Sequence, residues 1–247
     1  YEIDSTSTFL QDRVYLNNGN GIYRKKKLPS IKTNSKSIAF SDFDNDGDVD
    51  FFIGNNAKHG KYPLTDSPIF LENKNGNYTD NFNDKFTDIS DLKIINDAIF
   101  SDFDNDGQID LIVVGEWMPI TVFKNNGGSF KNITKDLDLE ATTAWWFSIN
   151  EGDFDNDGDM DYLVGNLGLN YKYKANKEET FDIYVNDFDK NKSNDIVLSY
   201  YNEGEKFPVR GRECSSQQIP AIKKKFKNYE AYSNATLVDI YTEQDLS

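Results

Sequence analysis

A nine-residue acidic segment, written three times in the same register, constrains this chain more than any other feature. It runs Asp42-Phe43-Asp44-Asn45-Asp46-Gly47-Asp48-Val49-Asp50 and recurs from Asp102 to Asp110 and from Asp153 to Asp161. A looser fourth copy runs from Asp187 to Asp195, with Lys192 where the others have glycine. Carboxylates packed this densely repel one another unless a cation sits among them. The order Asp-x-Asp-x-Asp-Gly-x-x-Asp suits calcium, a hard ion that takes six to eight oxygens at about 2.3–2.6 Å. On this reading Asp42, Asp44 and Asp46 face inward, Asp48 lends its backbone carbonyl, and Asp50 closes the shell. Their counterparts are Asp102, Asp104, Asp106, Gln108 and Asp110, then Asp153, Asp155, Asp157, Asp159 and Asp161. In the looser copy they are Asp187, Asp189, Asn191, Ser193 and Asp195. A carbonyl ligand makes Gln108 harmless, and glycine at the sixth position permits the sharp turn. Three calcium sites are expected. The fourth loop is either a weak site or one where a lysine takes the place of the metal.

An EF-hand or dockerin loop would need an acid at position 12, where this chain has Ile53, Val113 and Val164. The flanks also differ. Ile38-Ala39-Phe40 precedes the first loop and Phe51-Phe52-Ile53-Gly54 follows it, with similar apolar runs around the second and third. Short β-branched and aromatic runs are strands, so each loop joins two strands. A second repeat interleaves with the first. Leu16 to Tyr23, Leu71 to Tyr78 and Phe123 to Phe130 align without gaps as strand, Asn/Gly turn and aromatic, which is a β-hairpin. One unit is therefore a strand, an acidic loop, a strand and a hairpin. Four strands recurring at this kind of spacing predict β-propeller blades in an all-β fold.

Regularity fails after Asp161. No Asn/Gly hairpin follows, and Ile219, Ile222, Phe226 and Tyr229 fall at helical spacing, with Pro220 placed for a first turn. Ala231 to Ile240 reads as a further helix. The expected division is propeller blades over 1–204, about four with the first incomplete, and a helical insertion or lid on a degenerate blade over 205–247. The chain has no apolar run long enough to span a membrane. Its net charge of −15 disfavours nucleic acid as a partner. Cys214, the lone cysteine, rules out an internal disulfide. Tyr1 opens within a polar stretch, so an export signal, if any, has been removed or lies outside this sequence.

The loops and their strand flanks resemble the FG-GAP/VCBS repeats that build calcium-binding β-propellers, including the integrin α head. The runs Val114-Gly115-Glu116-Trp117-Met118-Pro119, Gly165 to Asn170 and Gly211 to Gln218 resemble, more narrowly, large exported VCBS-repeat proteins of Bacteroidetes-type bacteria. The Phe-Gly and Gly-Ala-Pro tripeptides of the FG-GAP name are absent, so the VCBS description fits better. The resemblance implies part of a larger propeller, exported to the cell surface, outer membrane or extracellular space. Its role would be a binding or scaffold module for a glycan or a surface protein. A polysaccharide-degrading enzyme and a structural subunit of an outer-membrane complex are the alternatives. Trp117, Trp145 and Trp146 are candidates for stacking on a ligand, or for packing between blades. Arg210 and Arg212, near Lys223, Lys224, Lys225 and Lys227, are candidates for docking. No catalytic constellation is expected: His59 is the only histidine and lies in a polar loop, and Glu116 is read as structural.

Overall fold

The computed structural model describes residues 8–168 and 171–246. The chain divides into two compact units, residues 1–167 and 168–247. The structure is mostly β, in several antiparallel sheets with small helices near the C-terminus.

In the first unit a hairpin of β1 (Val14–Asn17) and β2 (Tyr23–Lys26) precedes a four-stranded sheet of β3 (Ser35–Ser41), β4 (Asp50–Asn55), β5 (Ile69–Lys74) and β6 (Asn77–Asp80). This is one propeller-like blade in the predicted order, the first acidic loop joining β3 to β4. The β5–β6 turn places Asn75 at φ 53° and Gly76 at φ 79°, the paired positive angles of a tight hairpin. After a short helix α1 (Phe82–Lys85) and strand β7 (Phe86–Thr87), a second blade follows. It contains β8 (Ile94–Ser101), β9 (Asp110–Met118), β10 (Thr121–Asn125) and β11 (Phe130–Asn132). Strand β7 runs parallel to its outer strand β11. The third blade is only the pair β12 (Ala144–Gly152) and β13 (Asp161–Asn166) around the third acidic loop.

The alternation of β9 shows how the blades stack. Leu111 and Val113 face a core shared with the first blade, while Ile112 and Val114 face a core shared with the third. With both faces buried, a central strand reads as an unbroken apolar run rather than as alternating residues. The larger core is built from phenylalanine. Phe86 stacks on Phe130 at 4.6 Å and on Phe82 at 4.9 Å, with Phe70 and Phe123 edge-on at 5.1 and 5.3 Å. Such pairs add to the burial each ring already contributes. Gly115 faces a register shift in β8, and a Cβ there would lie 2.0 Å from the Ile94 carbonyl oxygen.

The second unit is a three-stranded sheet of β14 (Asp182–Asn186), β15 (Asp195–Asn202) and β16 (Glu205–Pro208), with the fourth acidic loop between β14 and β15. The sequence division at 204/205 falls in the turn between β15 and β16, where Glu203 and Gly204 take positive φ. Four short helices follow: α2 (Arg212–Gln218), α3 (Ala221–Lys225), α4 (Tyr229–Ser233) and α5 (Leu237–Ile240). Ile219, Ile222, Phe226, Leu237 and Ile240 bury against Val197 of β15. The single helix expected from Ala231 to Ile240 is two. Thr236 starts a new helix because the Asp239 carboxylate accepts from its N–H at 2.9 Å and its hydroxyl at 2.8 Å, a capping arrangement that resets the chain direction. Tyr229, at helical spacing with Ile219, Ile222 and Phe226 in the sequence, is exposed, whereas those three are buried.

Replacing Phe86 with alanine should cost about 3–5 kcal/mol of unfolding free energy, the range for deleting a buried ring, as read by urea denaturation. A loss below about 1 kcal/mol would mean the phenylalanine cluster does not hold the first two blades together.

Candidate metal centre

All four acidic loops fold alike, by a rule visible in their hydrogen bonds. In the first, the Asp42 carboxylate accepts from the N–H groups of Asp46 at 3.0 Å and Gly47 at 2.9 Å, and Asp46 accepts from Asp48 N–H at 2.9 Å. The second and third loops repeat these bonds through Asp102 and Asp106, then Asp153 and Asp157. The fourth does so through Asp187 and Asn191. The chain can coil this tightly because positions 4 and 6 take positive φ: Asn45 at 57° and Gly47 at 92°. In the fourth loop Lys190 and Lys192 adopt 61° and 72°, a conformation that is costly for a lysine.

The geometry brings together positions 1, 3 and 9 of each loop. Ligand oxygens of Asp42, Asp44 and Asp50 lie within 4.8 Å of one another. So do those of Asp102, Asp104 and Asp110, of Asp153, Asp155 and Asp161, and of Asp187, Asp189 and Asp195. These groups could hold metal ions. Asp46, Asp106 and Asp157 flank them with one oxygen used by a backbone N–H; Asp46 and Asp157 have a second to offer, whereas that of Asp106 is taken by Lys124. Asn191 brings only one oxygen to the same place. Position 7 does something else with its side chain. Asp48 accepts from Asn75 N–H at 2.5 Å, and Gln108 from Gly127 N–H at 2.7 Å, so both pin the hairpin turn of their own blade. Where the third blade has no such hairpin, Asp159 instead accepts from the Asn105 amide of the neighbouring loop at 2.6 Å.

Two sets of contributors were in plain view in the sequence but unread. Asn73 and Asn125, in the aligned hairpin segments, donate their backbone N–H to the closing aspartates Asp50 and Asp110, each at 2.7 Å. The Asn125 amide also reaches the carbonyls of Phe43 and Ile109 at 3.0 Å. The recurrence of Asn at that hairpin position was the available signal. The second set is the phenylalanine at position 2 of every loop. Its N–H donates to the closing aspartate in the first, third and fourth loops. The ring of Phe43 is buried between the first two blades and that of Phe188 packs on Tyr241, whereas Phe154 is exposed.

Burial sets the electrostatics. Asp50 and Asp110 are almost fully buried, and desolvation pushes both up to about 6, with the other loop carboxylates adding to the effect. Burial also raises Asp44 and Asp195. Asp110 Oδ2 is buried with no hydrogen-bond partner. An all-oxygen cradle ending in an unpaired buried carboxylate oxygen fits a hard divalent cation. The second loop has a further charge: Lys124 pairs with Asp104, and with Asp106 at 2.9 Å, which holds Asp106 below the usual carboxylate range.

The other candidate residues lie apart from these loops. The Trp117 indole donates to Tyr62 Oη at 2.5 Å, Tyr62 donates to Glu116 at 3.2 Å, and Lys36 pairs with Glu116 at 3.5 Å. Trp145 meets Trp117 edge-on at 5.1 Å. Trp146 packs on the core between the second and third blades and donates to the Thr142 carbonyl at 2.9 Å. Arg210 is exposed and bonds Gln218 at 2.7 Å, whereas Arg212 is buried and donates to the Phe226 carbonyl at 2.6 Å. His59 is exposed.

A propeller-like repeat carrying acidic loops between strands is thus the class that fold and site define together. The family model described as FG-GAP-like repeat matches residues 5–53 and 102–164, which take in the first three acidic loops. Comparison with curated proteins gave no match.

A carboxylate raised in the fold stabilises it only while protonated. Without divalent ions, stability should therefore fall as pH rises from about 4 through 6, the interval between the ordinary aspartate value and that of Asp50 and Asp110. A saturating divalent cation needs both groups ionised and should reverse that slope. Calorimetric melting across this interval tests it, and an ion-free melting temperature that climbs with pH would refute the assignment.

Proposed function

We propose that this chain is a calcium-stabilised β-propeller module of the VCBS type, exported, that binds or scaffolds a glycan or a surface protein. The observation that carries the calcium reading is that four separate segments each fold into the same kind of oxygen cradle, positions 1, 3 and 9 meeting within 4.8 Å each time. Calcium bound there would supply positive charge that, apart from Lys124 at the second loop, no ion pair among the described residues brings to these carboxylates. It would also tie each loop to its blade through the closing aspartate. The FG-GAP-like repeat match supports a propeller-type binding or scaffold role and an extracellular or surface setting. No helix among the described residues is long and apolar enough to cross a membrane.

A binding role is favoured over catalysis by how the non-loop polar groups are used. Glu116, the acid nearest an aromatic platform, is engaged by Tyr62 and Lys36. The half-buried Trp117–Trp145 pair in the first unit, and Arg210 in the second, are the residues we assign to partner contact.

Chelation should lower the melting temperature markedly, since each site at 100-fold excess over its Kd contributes about 2.7 kcal/mol. D44N should weaken calcium binding at the first loop at least about tenfold, because it removes one negative charge from the oxygens around a hard cation whose affinity follows ligand charge. D48N should leave that affinity nearly intact, its side chain serving the hairpin rather than the ion. Titration calorimetry separates them, and equal losses would show that position 7 is a side-chain ligand. A glycan array run beside a polysaccharide hydrolysis assay tests the binding role, which product release would defeat.

A further inference from the structure

The first two loops have nearly the same backbone and opposite neighbours. In each, the third strand of the blade donates an N–H to the closing aspartate, from Asn73 to Asp50 and from Asn125 to Asp110. The residue just before that asparagine therefore stands beside the loop. It is Glu72 in the first blade and Lys124 in the second. Lys124 reaches across to Asp104 and Asp106, with its ammonium 2.9 Å from Asp106 Oδ2. Glu72 is buried and adds negative charge near Asp44. Lys74, which also stands near Asp44 and Asp46, pairs with Glu72 at 3.2 Å rather than with the loop, and Lys85 pairs with Glu72 at 3.5 Å. Resting on the calcium reading above, we propose that Lys124 is an internal competitor for the cation of the second loop, so that this site fills only when the lysine is displaced, whereas the first loop, beside Glu72, fills first.

The second loop is still built to receive an ion. Asp110 is fully buried, its Oδ2 has no hydrogen-bond partner, and its carboxylate stands within 4.8 Å of ligand oxygens of Asp102 and Asp104. Lys124 pairs with Asp104 and Asp106, so its ammonium neutralises two carboxylates without satisfying that buried oxygen. A divalent ion can satisfy both, but must first break the two ion pairs and then sit near a positive charge. The long lysine side chain allows this, since it can swing into solvent without disturbing β10. The two sites would therefore fill at different calcium concentrations, and the second at a concentration set by Lys124.

The test is calcium titration calorimetry on the whole chain, with K124M, K124E, E72K and the double variant K124M/D110N. K124M should tighten the second site about tenfold, the scale of two partly exposed ion pairs removed from the competing state. K124E, which copies the first blade, should tighten it at least as much. The gain should vanish in K124M/D110N, and E72K should weaken the first site. A K124M titration that superimposes on a calcium-binding wild type overturns the inference and leaves the calcium reading standing. A wild type that takes up no calcium at any loop overturns both.

Discussion

The buried closing aspartate is the hinge of this architecture. Asp50 and Asp110 each begin a central strand, accept a backbone N–H from the strand beside it, and belong to an acidic loop at the same time. Burying a carboxylate is costly unless it is paired. The fold tolerates it because that group serves sheet and loop together, and because a cation in the cradle would remove most of the penalty. Loop and blade are thus one unit energetically, joined through the closing aspartate and through the side chains of Asp48 and Gln108 at the hairpin turns.

Packing between blades follows from the same repeat. Each loop carries a phenylalanine next to its first aspartate, and Phe43 sends its ring into the core between the first and second blades. The loop chemistry and the apolar core are therefore joined by adjacent residues. The bulge residue Asn96 in β8 adds a polar tie, donating to the Trp146 carbonyl in the third blade at 2.6 Å. The third blade shows what happens when the repeat stops: Phe154 and Leu163 are exposed, and Asp159 turns to its neighbour's loop instead of a hairpin.

The second acidic loop and the aromatic pair occupy opposite ends of β9. The acidic loops stand at one end of the strands, where they spend their side chains on backbone N–H groups and, on our reading, on calcium. The aromatic pair Trp117 and Trp145 lies at the far end of β9 from the second loop, since Asp110 opens that strand and Met118 ends it. Trp117 holds a positive φ of 63° there, a strained setting for a bulky residue, secured by the bond from its indole to Tyr62. Residues at that end of β9 can therefore vary without touching the acidic loops.

The sequence alone determined whatever depends on neighbours within a few residues. Acid spacing dictated the loop cradle, apolar runs dictated strands, and Asn/Gly pairs dictated hairpins, because each is settled by local backbone sterics and charge. The fourth loop was legible for the same reason, its lysines notwithstanding. Tertiary structure decided what depends on residues far apart in the chain. It made Asn73 and Asn125 partners of the closing aspartates, set Lys124 on the second loop and Glu72 beside the first, and buried Arg212 among carbonyls. The break of the expected final helix at Thr236 was local as well, since Thr236 and Asp239 stand three residues apart and their cap outweighed helical periodicity. A recurring hairpin asparagine marks a position but not its partner, because only folding brings groups on different strands within hydrogen-bond or ion-pair reach.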